Sequence, residues 1–117
     1  MERFPRLNDG IVRIFKKINK KTDFNARNNV QSYDDMEQIA KLNYQQMSKR
    51  NQDIEFAEKM SFNLSMKIRT RKFKNLNSKQ YAVIDRFLYE IKYIDEDKTS
   101  SYLYLEGVRE LAEQNKR

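Results

Sequence analysis

The chain has no cysteine, no histidine and no tryptophan, and only one proline and two glycines among 117 residues. Without Cys and His it cannot form disulfides, zinc sites of the usual ligand types, a cysteine nucleophile or a histidine acid/base pair. Catalysis is therefore the least favoured class, and the chain is expected not to be an enzyme. Gly10 and Gly107 are too few and too far apart for a Gly-rich phosphate loop. The tight turns of β-rich folds draw on Gly for positive φ and on Pro for a fixed φ, so this scarcity predicts an all-α protein. Apolar runs are only a few residues long and the N-terminal Met1-Glu2-Arg3-Phe4-Pro5-Arg6 lacks a signal-peptide core, so the expectation is a cytoplasmic protein with no membrane contact.

The last absence is local. Residues 61–80 carry Lys67, Arg69, Arg71, Lys72, Lys74 and Lys79 but no Asp or Glu. Charge summed over residues 1–32, 33–60, 61–80 and 81–117 is +5, −2, +6 and −2, which recovers the net +7. Positive charge serving only solubility has no reason to segregate in this way, so the two basic blocks are candidate contacts for a polyanion.

What is present reads as one small domain, residues 1–117, of four to five helices in an orthogonal or irregular bundle. Asn8 or Asp9 can cap a first helix with Ile11, Ile14, Phe15 and Ile18 at i, i+3, i+4, i+7, which puts Arg13, Lys16, Lys17, Lys20 and Lys21 on its other faces. Residues 22–31 are Asn-rich without apolar periodicity and read as a mobile loop anchored by Phe24. Ser32 with Asp35 resembles a capping box before a second helix carrying Met36, Ile39, Ala40 and Met47. Asp53 is expected to cap a third, running to about Arg69 with Ala57, Met60, Leu64 and Ile68 buried. Asn77 and Gln80 form the clearest capping signal, with Leu76 and Tyr81 as a staple, ahead of Ile84, Phe87, Leu88 and Ile91, the strongest apolar stripe in the chain. A final helix carries Tyr102, Leu105, Val108 and Leu111, although Gly107 costs it about 1 kcal/mol relative to Ala. A short strand through Tyr102–Leu105 is the alternative there.

The acidic run Asp95, Glu96, Asp97 lacks the Gly-containing calcium-loop pattern and reads as solvated, so no metal and no cofactor is expected. Binding remains. Lys67, Arg69, Arg71, Lys72, Lys74 and Lys79, assisted by Lys16, Lys17, Lys20 and Lys21, are the candidate contacts, with Phe73 and Tyr81 as candidate stacking surfaces. Charge supplies affinity for phosphates and aromatic faces stack on exposed bases. A solvated basic helix end with both aromatics in the core is the bland alternative.

The segment from Phe56 to Leu88, chiefly Leu76, Asn77, Ser78, Lys79, Gln80 and the apolar run that follows, resembles a helical stretch of small phage-encoded and mobile-element proteins. That resemblance implies association with nucleic-acid machinery and transfers no catalytic residue. The leading expectation is a non-catalytic binder of DNA or RNA, or of a protein machine acting on them. The rivals are an inhibitor or adaptor module docking on an acidic protein surface, and a structural subunit of a helical homo-oligomer that uses Met36, Ile39, Met47 and the tyrosines 89, 93, 102 and 104 as its interface.

Overall fold

The computed structural model describes residues 7–18, 30 and 32–112. It overturns the all-α expectation. Among the described residues the elements are six strands, β1 (Gly10–Lys17), β2 (Met36–Met47), β3 (Met66–Arg71), β4 (Tyr81–Ile84), β5 (Phe87–Glu96) and β6 (Ser100–Glu110), with one α-helix, α1 (Asn51–Lys59), between β2 and β3. The strands close into an antiparallel barrel in the order β1-β2-β3-β6-β5-β4. The first four have the spatial order β4-β1-β2-β3, a Greek key, because β3 crosses one end of the barrel to reach β4. Closure leaves no free sheet edge.

Side chains alternate across each strand, one set filling the barrel and the other facing outward. Val12, Ile14, Tyr44, Ile68, Ala82, Ile84, Ile91, Leu103 and Leu105 form the interior. Much of the outward set is buried as well. Phe15, Met36, Val83 and Leu88 are covered by Val30 and Leu111, and Tyr104 is covered by Ala57 of α1 and by Phe62. The register also shifts between Ile14 and Phe15, between Leu88 and Tyr89, and between Ile91 and Tyr93. Two covered faces and three bulges replace a clean two-residue period with apolar spacings of three and four, the spacings that suggest helices.

Three of the helix-start signals are real local structures with different continuations. Ser32 accepts from Asp34 N and Asp35 accepts from Ser32 N, but they cap a single 3₁₀ turn, Tyr33–Asp35, that runs straight into β2. Asn77 Oδ1 accepts from Lys79 N, and Gln80 Oε1 accepts from Asn77 N, yet β4 follows. The third leads into α1, which begins two residues before Asp53 and ends ten residues before Arg69. Ser61, at φ 65°, reverses the chain there: its N–H bonds to Glu58 O and that of Phe62 to Ala57 O, a Schellman ending with Ser where Gly is usual. Met60, expected on the buried line, is consequently 57% exposed.

The expected core helix around Ile84–Ile91 is a hairpin. Ile84 pairs with Phe87, and Asp85 and Arg86 between them have φ values of 50° and 68°, the signature of a type I′ turn made without Gly or Asn. The expected last helix is β6, where the Tyr102–Leu105 strand alternative is realised as part of a longer element. No helix among the described residues is long and apolar enough to cross a membrane. The expected loop at 22–31 lies outside the described residues apart from Val30, which is buried.

Candidate nucleic-acid interface

The acid-free window is the strand β3 followed by the crossover to β4, not a junction between helices. In Met66-Lys67-Ile68-Arg69-Thr70-Arg71 the apolar or small side chains face the barrel and the three cations face outward. Their surroundings then separate them.

Lys67 is only 6% exposed and is used internally. Helix α1 lies over it, and its ammonium donates to Asp53 Oδ2 at 3.1 Å. Asp53, 2% exposed, also accepts from Tyr104 Oη at 3.0 Å, Arg50 N at 3.0 Å and Arg50 Nε at 3.3 Å. Burial pushes the Asp53 carboxyl up, but the hydrogen bonds from Arg50, Lys67 and Tyr104 outweigh it and hold the group well below the usual carboxylate range. The Tyr104 hydroxyl is pushed up to about 12 by burial and by its bond to Asp53. With Arg50 Nη2 at 3.4 Å from Oδ1, five donors on one carboxylate make this a satisfied structural network that ties α1 to the barrel.

Arg69 is half-buried: Nε donates to Ser100 Oγ at 3.0 Å, and its guanidinium lies 5.4 Å from the centroid of the Tyr102 ring. Arg71 is exposed at the end of β3, followed by exposed Lys72 and Lys74. Lys79 is exposed near the far end of the crossover. The two aromatics part company. Phe73 lines a cleft at the barrel mouth, whereas Tyr81 packs with Phe15 and Tyr33 on the far outer face, where burial first and then Glu90 raise its hydroxyl pKa. Lys16 lines the same cleft as Phe73 and pairs with Glu37 at 3.6 Å; Lys17 is half-buried at the end of β1. Lys20 and Lys21 lie outside the described residues.

Two further cations join β3 on this side of the barrel. Arg13 of β1 stands directly opposite Lys41 of β2, both exposed, and neither side chain has a hydrogen-bond or ion-pair partner among the described residues. Gln45, next along the outward row of β2 after Asn43, is opposite Arg69. The outward surface from Arg13 through Lys41, Asn43 and Gln45 to Arg69 and Arg71 is therefore rich in cations and amides across three strands spaced about 4.8 Å apart. Carboxylates stand at its edges: Asp9, which accepts from Gln46 N at 2.7 Å, and Asp97, whose charge interacts with that of Arg69. The acidic run Asp95, Glu96 and Asp97 follows β5 into its turn to β6, where it borders the β3 end of the basic face through Tyr102 and Ser100, the residues opposite Arg69 and Arg71. Asp97 is consumed locally: it accepts from Tyr102 Oη at 2.8 Å, Thr99 N at 3.0 Å and Ser100 N at 2.8 Å. Those bonds, Tyr102 foremost, lower its pKa.

Lys41 could not be found as a site residue from charge blocks, because it sits in a net-acidic segment; only strand pairing brings it to Arg13. No family model matches the chain, and no curated protein or solved structure matches it, so the interface is read from its own chemistry.

Proposed function

We propose that this is a non-catalytic nucleic-acid-binding protein that holds a phosphate backbone on the outer face of β1, β2 and β3, with Arg13, Lys41, Arg69 and Arg71 as contacts and Lys72 and Lys74 extending the track. The observation that carries the reading is the Arg13–Lys41 pair. Like charges directly opposite on neighbouring strands destabilise a sheet, and here no carboxylate among the described residues pairs with either of them. A polyanion lying across the strands neutralises that repulsion and gains affinity by releasing its own counterions.

Anisotropy titrations of labelled single-stranded and duplex DNA and RNA across a salt series test the reading. Arg13→Gln with Lys41→Gln should reduce the slope of log K against log salt by about 1.4 on single strands, at ~0.7 per phosphate contact. Lys98→Gln, an exposed cation in the acidic β5–β6 turn, should leave it unchanged. Absence of binding at low salt would reject the proposal and leave the acidic-protein-surface alternative. Binding with an unaltered slope in the double variant would move the contact off this face.

A further inference from the structure

The crossover from β3 to β4 builds a second feature, a cleft of about 540 Å³ at the barrel mouth lined by Lys16, Ile39, Phe73, Lys74, Asn75, Leu76, Asn77 and Gln80. That volume falls in the range of about 300–1,000 Å³ typical of small-ligand sites. The floor is held from within. Gln80 is 7% exposed and spends both ends of its amide on the loop, donating from Nε2 to Asn75 O at 2.7 Å and accepting at Oε1 from Asn77 N at 3.0 Å. Leu76 N bonds to Phe73 O at 3.1 Å, and the Leu76 side chain packs on the barrel interior. The backbone that presents Phe73, Lys74, Asn75 and Asn77 is thus fixed before any ligand arrives.

The side chains at its rim make an unusual set for a surface cleft. Asn77 Oδ1 is taken by Lys79 N, which leaves its Nδ2 to donate, and the Asn75 amide is committed to no other side chain among the described residues. Lys74 has no carboxylate partner among the described residues, and the pair between Lys16 and Glu37 is exposed on both sides and therefore cheap to exchange. One flat apolar face, two cations and two amides within one cleft match the parts of a nucleotide: a ring that stacks, a phosphate, and a base edge carrying donors and acceptors.

We infer that this cleft binds a single phosphorylated nucleoside, with the base against Phe73, its polar edge at Asn75 and Asn77, and the phosphate between Lys74 and Lys16. The unit comes either as a free mononucleotide or as one unstacked nucleotide of a strand held on the β1–β3 face. Only the second source rests on the function proposed above.

Titrating the full chain with the four nucleoside 5′-monophosphates, with ribose 5-phosphate and with inorganic phosphate, read by amide and side-chain NMR shifts, tests the inference. Monophosphates should move the signals of residues 73–80 together with Lys16 and Ile39. Phe73→Leu, which keeps an apolar side chain but not the ring, should weaken them about 5- to 150-fold, the equivalent of the ~1–3 kcal/mol of base stacking, and leave ribose 5-phosphate unaffected. Lys74→Gln should weaken both. Monophosphates that do not bind, that bind no better than inorganic phosphate, or that bind equally well to both variants, each with the variants' folded spectra intact, would overturn it. A monophosphate that displaces a bound oligonucleotide from the cleft identifies the strand as the source, and one that binds without displacing it identifies the free nucleotide. Arg13→Gln with Lys41→Gln separates the two proposals, since it should weaken strands and spare monophosphates.

Discussion

Lys67 illustrates how a side chain's role depends on what covers it. It sits in the middle of the most basic stretch of the chain, yet α1 seals it against Asp53, Tyr104 and Arg50, so its charge is spent on folding. Removing one member of a buried pair leaves an uncompensated charge, so Asp53→Asn should destabilise the protein by about 3–5 kcal/mol at neutral pH. The pH dependence follows from the depressed pKa of Asp53. A carboxyl whose folded pKa lies below its unfolded value of about 3.9 stabilises fully above that value, and the contribution is lost as pH falls from there towards the folded pKa. Urea unfolding at pH 7 and pH 3 should therefore show the wild type losing more stability over that interval than Asp53→Asn; equal losses would deny the carboxylate this role. Tyr104 acts in the opposite direction. Its raised pKa favours the neutral hydroxyl, so its contribution is complete below about 10 and fades as pH climbs towards about 12. Tyr104→Phe should flatten the alkaline limb of the stability curve.

At the scale of elements, the protein makes its reversals with residues that do not advertise them. Ser61, Asp85 and Arg86 occupy left-handed backbone conformations that cost an L residue roughly 1–2 kcal/mol each. Ser61→Gly and Arg86→Gly should each stabilise by about 0.5–1 kcal/mol after the extra freedom of the unfolded chain is subtracted. The exposed ion pair of Arg86 with Glu110, 3.3 Å, is a small loss beside that. Chemical denaturation of both variants checks the gain. Gly10→Ala should do the reverse, because φ is +153° and a Cβ would meet the Tyr44 ring at 3.0 Å.

These turns explain how far the sequence could be read. The Ser32 and Asn77 side-chain caps and the helix at Asp53 were legible because they are local hydrogen-bond patterns. Their continuation into strands was not, since the glycines that mark a Schellman ending and a type I′ hairpin are absent. Ile84, Phe87, Leu88 and Ile91 show the helical spacing because a hairpin turn and a covered outer face act in succession. Two stretches kept an undisguised two-residue period, Met66–Arg71 and Tyr102–Leu105, and both are strands. Of the candidate site, the locality of the basic block was visible and its partition was not: burial of Lys67, the turn of Phe73 into the cleft and the pairing of Lys41 with Arg13 all depend on strand register.

For the whole molecule, the closed barrel turns four alternating blocks of charge along the chain into an unevenly charged surface, although Glu37 sits on β2 and Lys92 on β5. Cations gather on β1, β2 and β3, and the acidic run follows β5 into its turn. A face kept for a polyanion should oppose stability, and both properties can be read in one substitution. Lys41→Glu places a carboxylate directly opposite Arg13. It exchanges a repulsive cross-strand pair for an attractive one, each worth about 0.2–1 kcal/mol, so denaturant unfolding should show a more stable protein. The gain should be largest at low ionic strength and shrink as salt screens the exposed charges. Strand binding should weaken in the same variant, because a phosphate contact has been lost and a negative charge placed in the track. Stability and affinity moving in opposite directions is the signature of a charge arrangement held for a partner. A variant that binds as before while gaining stability would show that Lys41 belongs to the fold's electrostatics alone.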